Sequence, residues 1–161
     1  MRPLLVGMVN PLSSDPRHAL YPHPRGSAGE RLYRIFEDAT GASRTEYLSA
    51  FHRVNLLPSA YAACWDSAAA HEAAVVLRLG IGGRTVVLLG DAVRRAFRVP
   101  RGEVGVAQTI ALAREPVEPT WDTATVYCLP HPSGRCLWYN DPENRVRAGE
   151  LLRRLYEESR A

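Results

Sequence analysis

Short apolar runs that end in asparagine, glycine or proline are the feature that most constrains how this chain folds. Three of them span residues 3–9, 84–89 and 124–129, and a less apolar fourth spans residues 48–55. Runs of this length between turn residues are typical of strands that are buried in a sheet. The run RTVVLL at 84–89 is the clearest of them, so the chain requires a fold built around a central sheet.

Helical patterns alternate with these strands. The sequence predicts helices over residues 28–40, 60–79 and 91–97, and a terminal helix from Asp141 onward. An alternation of strands and helices indicates a parallel sheet with helices on both of its faces. We therefore predict an α/β fold, a three-layer α/β/α sandwich around a central, mostly parallel four-stranded sheet, with residues 1–161 in a single domain.

Two segments are predicted to be irregular. Residues 10–27 contain four prolines and form a long loop, and loops of this length in a small domain are usually functional. Residues 98–123 are also interrupted by prolines, and an edge strand is expected within them near residues 106–113.

The composition is that of one folded domain with a mildly basic surface. The chain has 161 residues, 23% of them charged, and a net charge of +3, which is compatible with a polyanionic partner. Its three cysteines, Cys64, Cys128 and Cys136, have no CxxC spacing, so the patterns of zinc and iron–sulfur sites are absent. The chain has no run of about 18 apolar residues and no signal-peptide pattern, so we expect a cytoplasmic protein without a membrane span.

Polar side chains stand at the carboxyl ends of three predicted strands. Asn10 follows the first strand, Asn55 closes the second, and the sequence HPS at 131–133 follows the last. Ligands of parallel sheets bind beyond the carboxyl ends of the strands. We therefore expect these three segments to meet in one site.

In these segments the chain resembles the uracil-DNA glycosylase superfamily. GMVNP at 7–11 is similar to the Gly-x-Asn/Asp-Pro motif after the family's first strand, and HPSGR at 131–135 to the His-Pro-Ser motif after its last. YPHP at 21–24 is similar to the mismatch-specific branch, and the arginine two residues after HPS to the single-strand-selective branch. VVLLGDA at 86–92 is also typical of the family. The resemblance implies a monofunctional DNA glycosylase that removes uracil or another deaminated base.

The resemblance also implies a role for each of these residues. Asn10 would position the attacking water, and a neutral His131 would stabilise the departing base anion. Asn55 would pair with the edge of the base, on which Tyr21 would stack. The predicted residues are Asn10 and His131 for catalysis, Gly7, Met8, Tyr21, Asn55 and Ser133 for substrate, and Ser13, Ser14 and Arg135 for DNA. No metal or other cofactor is implied, and the partner is single- or double-stranded DNA bound by a monomer.

Two questions stay open at this point. The family motif has one residue between glycine and Asn/Asp, whereas Met8 and Val9 separate Gly7 from Asn10. Without a one-residue insertion Val9 takes the catalytic place; we predict the insertion, with Asn10 catalytic. The alternative functions are a catalytically inactive module that binds a base, a nucleotide or DNA, and hydrolysis of a small-molecule N-glycoside.

The chain contains no lysine, so it has no lysine nucleophile for lyase chemistry.

Overall fold

A five-stranded sheet runs through the centre of the protein. The structure, a computed structural model, describes residues 1–112 and 122–160. In chain order the strands are β1 (Leu4–Val9), β2 (His52–Leu57), β3 (Thr85–Leu89), β4 (Gln108–Leu112) and β5 (Asp122–Leu129). Across the sheet they are ordered β2–β1–β3–β5–β4, and every neighbouring pair is parallel except β4 with β5.

The sheet has one strand more than the four that we predicted. The additional strand is β4, which corresponds to the edge strand expected near residues 106–113 and pairs with β5 in the antiparallel direction. Its side chains alternate between exposed and partly buried positions, because an edge strand covers the core with one face only. That alternation is a weaker sequence signal than a continuous apolar run. Residues 113–121 of the segment predicted to be irregular lie outside the described residues.

Helices cover both faces of the sheet, which confirms the predicted three-layer α/β/α sandwich. In chain order the described helices are α1 (Ala28–Thr40), α2 (Arg44–Ala50), α3 (Ser67–Arg78), α4 (Asp91–Ala96) and α5 (Pro142–Arg160). Successive residues of β1 point to opposite faces: Leu5 joins the core formed with α1, α2 and α5, whereas Leu4 and Val6 join the core formed with α3 and α4. None of the helices in the described part of the chain is long and apolar enough to cross a membrane.

The prediction of a strand over residues 48–55 was wrong in its boundaries. Residues 44–50 form α2 instead, and the strand begins at His52. The helix begins with a capping box, in which the Ser43 hydroxyl accepts from the Glu46 amide and the Glu46 carboxylate accepts from the Ser43 amide. This reciprocal pair satisfies two free amides of the first turn, so a helix forms where the apolar pattern alone indicates a strand.

The predicted helix over residues 60–79 is shorter in the structure. A turn of 3-10 helix spans Ser59–Tyr61, and α3 begins only at Ser67. The Asp66 carboxylate accepts hydrogen bonds from the amides of Ala68 and Ala69, at 2.9 and 3.0 Å. An aspartate in this position caps the helix and determines where it begins.

Helix α1 and the loop of residues 10–27 are in very close contact. A Cβ atom on Gly29 would lie 2.2 Å from the Tyr21 carbonyl oxygen and 2.5 Å from the Leu20 carbonyl carbon. From the other side, the Tyr47 hydroxyl donates a hydrogen bond of 3.2 Å to the Leu20 carbonyl. The backbone at 20–21 is therefore fixed between α1 and α2, and only glycine leaves room for it at position 29.

We predict that Gly29→Ala lowers the free energy of unfolding by about 1–3 kcal/mol, because the added methyl group must displace backbone. Gly80→Ala is the matched control, since its nearest neighbour would lie 3.8 Å from the added Cβ. Urea denaturation measures both changes. A Gly29→Ala protein as stable as the parent would contradict the close contact.

Candidate functional site

A cleft of about 260 Å³ opens at the carboxyl end of β1, where the loop of residues 10–27 approaches β2 and the segment after β5. Open α/β sheets bind ligands at this edge. Six of the predicted site residues line the cleft, namely Met8, Asn10, Tyr21, Asn55, His131 and Ser133. A larger groove of about 430 Å³ lies between α1 and α5, but none of the predicted residues lines it.

Gly7 provides the space that the Asn55 side chain occupies. The two residues are register partners on β1 and β2, and a Cβ atom on Gly7 would lie 2.6 Å from the Asn55 Oδ1 atom. The prediction that Asn55 closes the second strand is wrong, because β2 continues to Leu57. Its carboxamide lies across β1 and faces the cleft, and no side-chain hydrogen bond of the described residues involves it. A donor and an acceptor are thus available to a ligand.

His131 forms the opposite wall of the cleft. The residue lies between Pro130 and Pro132, whose rings restrict the backbone on both sides. Its Cβ would be only 3.1 Å from a Cβ on Gly90, so a side chain at position 90 would displace it. Gly90 also has a φ of +105°, which favours glycine. Burial lowers the pKa of His131 below its ordinary value, because the charged imidazolium loses its hydration. The ring is therefore neutral at neutral pH.

His131 also borders a second groove, of about 350 Å³, which is lined by residues of α4, of the segment 101–104 and of the end of β5. Met8 and His131 line both the cleft and this groove. Asp91 forms an ion pair with Arg94 in the second groove, so the exposed Arg101 gives the groove its net positive charge. The imidazole thus separates a small neutral cleft from a wider basic groove.

Asn10 lies at the mouth of the cleft, and its carboxamide is already bonded to its own loop. Nδ2 donates to the His18 carbonyl at 3.1 Å, and Oδ1 accepts from the Leu12 amide at 2.9 Å. A carboxamide has two donors and two acceptor lone pairs, so one of each remains for a water or a ligand. Val9, the alternative catalytic position, also lines the cleft and contributes only an apolar surface there.

Tyr21 contributes the aromatic surface of the cleft. Its ring is half-buried and meets the ring of His18 edge to face, with 5.9 Å between the centroids. The preceding residue, Leu20, has a φ of +48°, a conformation that is unfavourable for a residue with a side chain. The contacts with Gly29 and Tyr47 hold Leu20 in this conformation. The ring of Tyr21 is thereby directed toward the cleft.

The three predicted DNA-binding residues do not line the cleft. The Ser13 hydroxyl lies 3.1 Å from the Asp15 amide and 3.0 Å from His18 Nδ1, and Ser14 is hydrogen-bonded to Ser59. These hydroxyls hold the loop of residues 10–27 together and tie it to the chain after β2. Arg135 is exposed, two residues beyond Ser133.

Sequence reasoning missed several residues of the cleft wall. His18 and His23 line it together with His131, and Gly29 forms part of its floor. A sequence signal existed in the proline-rich loop, where both histidines stand, but their spacing matches no known ligand pattern. Within residues 1–112 and 122–160 no group of three or more His, Cys, Asp or Glu side chains is arranged to hold a metal ion.

A scan against models of protein families gives no match. A search of the curated protein sequences gives none either.

We predict that the low pKa of His131 makes the fold less stable in acid. The unfolded chain binds a proton on this imidazole more tightly than the folded protein does. The stability that the neutral ring contributes is therefore fully present above the ordinary histidine pKa of about 6.5, and it is lost as the pH falls through the lower pKa of the folded protein. His131→Gln should therefore lose less stability than the parent between about pH 7 and about pH 5. Equal losses in the two proteins, measured by urea denaturation, would contradict a neutral buried ring.

Proposed function

We propose that this protein is a monofunctional DNA glycosylase that hydrolyses the N-glycosidic bond of uracil or another deaminated base. The observation that carries the proposal is the convergence of Asn55, His131, Asn10 and Tyr21 on one small cleft. Its volume is below the roughly 300–1,000 Å³ of sites for drug-sized ligands, so the cleft suits a single flat ring. A base within a duplex reaches such a cleft only after it is flipped out of the stack.

Recognition of the base would use Asn55 and Tyr21. The free carboxamide of Asn55 offers a donor and an acceptor side by side, which match the alternating carbonyl and N–H groups on the edge of uracil. The half-buried ring of Tyr21 offers a face on which the base stacks. Gly7 is part of this arrangement, since any side chain there displaces Asn55.

Bond cleavage would depend on His131. When the bond between the sugar C1′ and the base nitrogen breaks, its electron pair leaves with the base, and positive charge develops on the sugar. A neutral imidazole that donates a hydrogen bond to a base carbonyl stabilises this anion. Burial favours the neutral form of His131, and a neutral imidazole carries one N–H group that it can donate.

Water completes the reaction. Its oxygen bonds to C1′, one of its protons passes to solvent or to the departing base, and a base and an abasic sugar result. Asn10 retains one N–H and one lone pair at the mouth of the cleft, which suffice to orient this water. An amide is not a strong base, so its role is orientation.

DNA is the proposed partner because the surface around the cleft is basic. The second groove, which shares His131 with the cleft, is bordered by the exposed Arg101, and Arg135 is exposed beside Ser133. With a net charge of +3, the protein attracts a polyanion over a wider range. We expect it to act as a monomer in the cytoplasm.

The bonds of Asn10 favour one alternative, a base- or DNA-binding module without catalytic activity. Both polar atoms of its carboxamide have partners within the loop, which is also what a purely structural residue would show. The two functions differ in one respect: a binding module retains the base, whereas the enzyme releases it.

We predict that oligonucleotides carrying uracil, hypoxanthine, xanthine or a G·T mismatch are converted to abasic products, which alkali then cleaves. His131→Ala should slow base release by about 100- to 1,000-fold, because it removes the donor to the departing anion. His52→Ala is the matched control, since His52 is exposed at the opposite end of β2. No cleavage of any substrate by the folded parent protein would overturn the enzymatic function.

The variant Asn10→Ala distinguishes a role of Asn10 in orienting water from a role in supporting the loop of residues 10–27. If Asn10 orients water, release should fall by about 100-fold while affinity for an uncleavable oligonucleotide stays near that of the parent. Fluorescence anisotropy measures the affinity, and single-turnover assays measure release. Equal losses of release rate and of affinity would show that Asn10 only supports the structure of the loop.

Arg135→Ala should weaken binding to all DNA sequences alike and reduce the dependence of log K on log salt by about 0.9, the value for one phosphate contact. Arg153→Ala, in the groove between α1 and α5, is the control and should change neither quantity. An unchanged salt slope in Arg135→Ala would remove that residue from the DNA interface.

A further inference from the structure

Arg31 on α1 holds the segment that carries His131. Its Nη1 atom donates to the Ser133 carbonyl at 2.6 Å and to the Cys136 carbonyl at 3.3 Å. Its Nη2 atom donates to Asn140 Oδ1 at 2.8 Å. A single guanidinium thus connects α1 to three points of a segment that lies more than 100 positions further along the chain.

Tyr139 holds the same segment from its other end. Its hydroxyl donates to the Pro130 carbonyl at 2.7 Å, and the residue is 1% exposed. The Arg31 guanidinium lies over this ring, with 5.3 Å between Cζ and the centroid. Trp138 meets the ring edge to face, with 4.8 Å between centroids. Arg31 and Tyr139 therefore pack against each other as one unit.

The two side chains supply hydrogen-bond donors to a segment that has few backbone hydrogen bonds of its own. Residues 130–136, which we name the His131 loop, include Pro130 and Pro132, and neither has an N–H to donate. Its one internal backbone hydrogen bond among the described contacts runs from the Cys136 amide to the Ser133 carbonyl. The carbonyls of residues 130 and 133, on either side of His131, are those that Tyr139 and Arg31 bind.

We infer that Arg31 and Tyr139 are positioning residues that fix the direction of the His131 imidazole at the cleft. The effect of these two residues on the reaction rests on the proposed function, whereas their contacts with the His131 loop are independent of it. Neither side chain is among the residues that line the cleft, so both act through the His131 loop. A hydrogen bond to a developing anion depends strongly on direction, and a displacement of about 1 Å costs up to about 100-fold in rate.

The variants Arg31→Ala and Tyr139→Phe test the inference. Each should lower kcat for base release by about 10- to 100-fold and leave KM nearly unchanged, because the Asn55 and Tyr21 surfaces stay in place. Arg31→Lys supplies one donor group where three acceptors are bound, so its kcat should lie between those of the parent and Arg31→Ala. Arg34→Ala is the matched control on the same helix, since the ion pairs of Arg34 with Glu30 and Glu37 and its contact with the Tyr33 ring all lie within α1.

A second readout does not depend on catalysis. NMR titration of the imidazole Cε1–H resonance, identified by its loss in His131→Gln, follows the environment of the ring directly. In Arg31→Ala and Tyr139→Phe the loosened loop admits water, so the pKa of His131 should rise toward its ordinary value. The acid limb of the pH–rate profile should shift upward with it.

The outcomes separate this inference from the proposed function. If the parent releases no base but the two variants raise the pKa of His131, the loop is held as inferred and the glycosylase proposal fails alone. If the titration of His131 and kcat in Tyr139→Phe both match the parent, the inference is overturned. Tyr139→Phe removes a single hydroxyl, so it decides the question if Arg31→Ala does not fold.

Discussion

The cleft depends on the parallel pairing of β1 with β2 on one side and β3 on the other. In parallel strands the carboxyl ends lie at the same edge, so this pairing brings Asn10, Asn55 and Gly90 together from distant parts of the sequence. The register has a specific consequence, because it sets Gly7 opposite Asn55. A shift by one residue would turn the carboxamide to the other face of the sheet, away from the cleft.

The environment of the cleft is neutral, while its surroundings are basic. Burial disfavours charge on His131, and the carboxamides of Asn10 and Asn55 carry none. Arginines stand outside, along the second groove and beyond Ser133. This separation suits a polyanion that inserts one uncharged ring into a small cavity, since the ring loses little hydration and the backbone remains in contact with cations.

The buried strands and the segments at their ends could be predicted from the sequence, because continuous apolar runs and proline-rich ends are local signals. Helix α2 is also predictable from the sequence, because Ser43 and Glu46 have the spacing of a capping box. The contacts of the site could not be found in this way. The bond from Arg31 to Ser133 and the close approach of Gly29 to Tyr21 arise from tertiary packing, which leaves no local pattern. For the same reason the sequence gives no sign that the hydroxyls of Ser13 and Ser14 hydrogen-bond within the protein.

Hydrolysis at the sugar carbon is the central claim, and the identity of the two products tests it most directly. An oligonucleotide with one deaminated base would be incubated with the protein, and the masses of both products would be measured by mass spectrometry. The account predicts free base and an equal amount of full-length abasic oligonucleotide. An oligonucleotide that binds the protein and is recovered intact would contradict the account and favour a binding module instead.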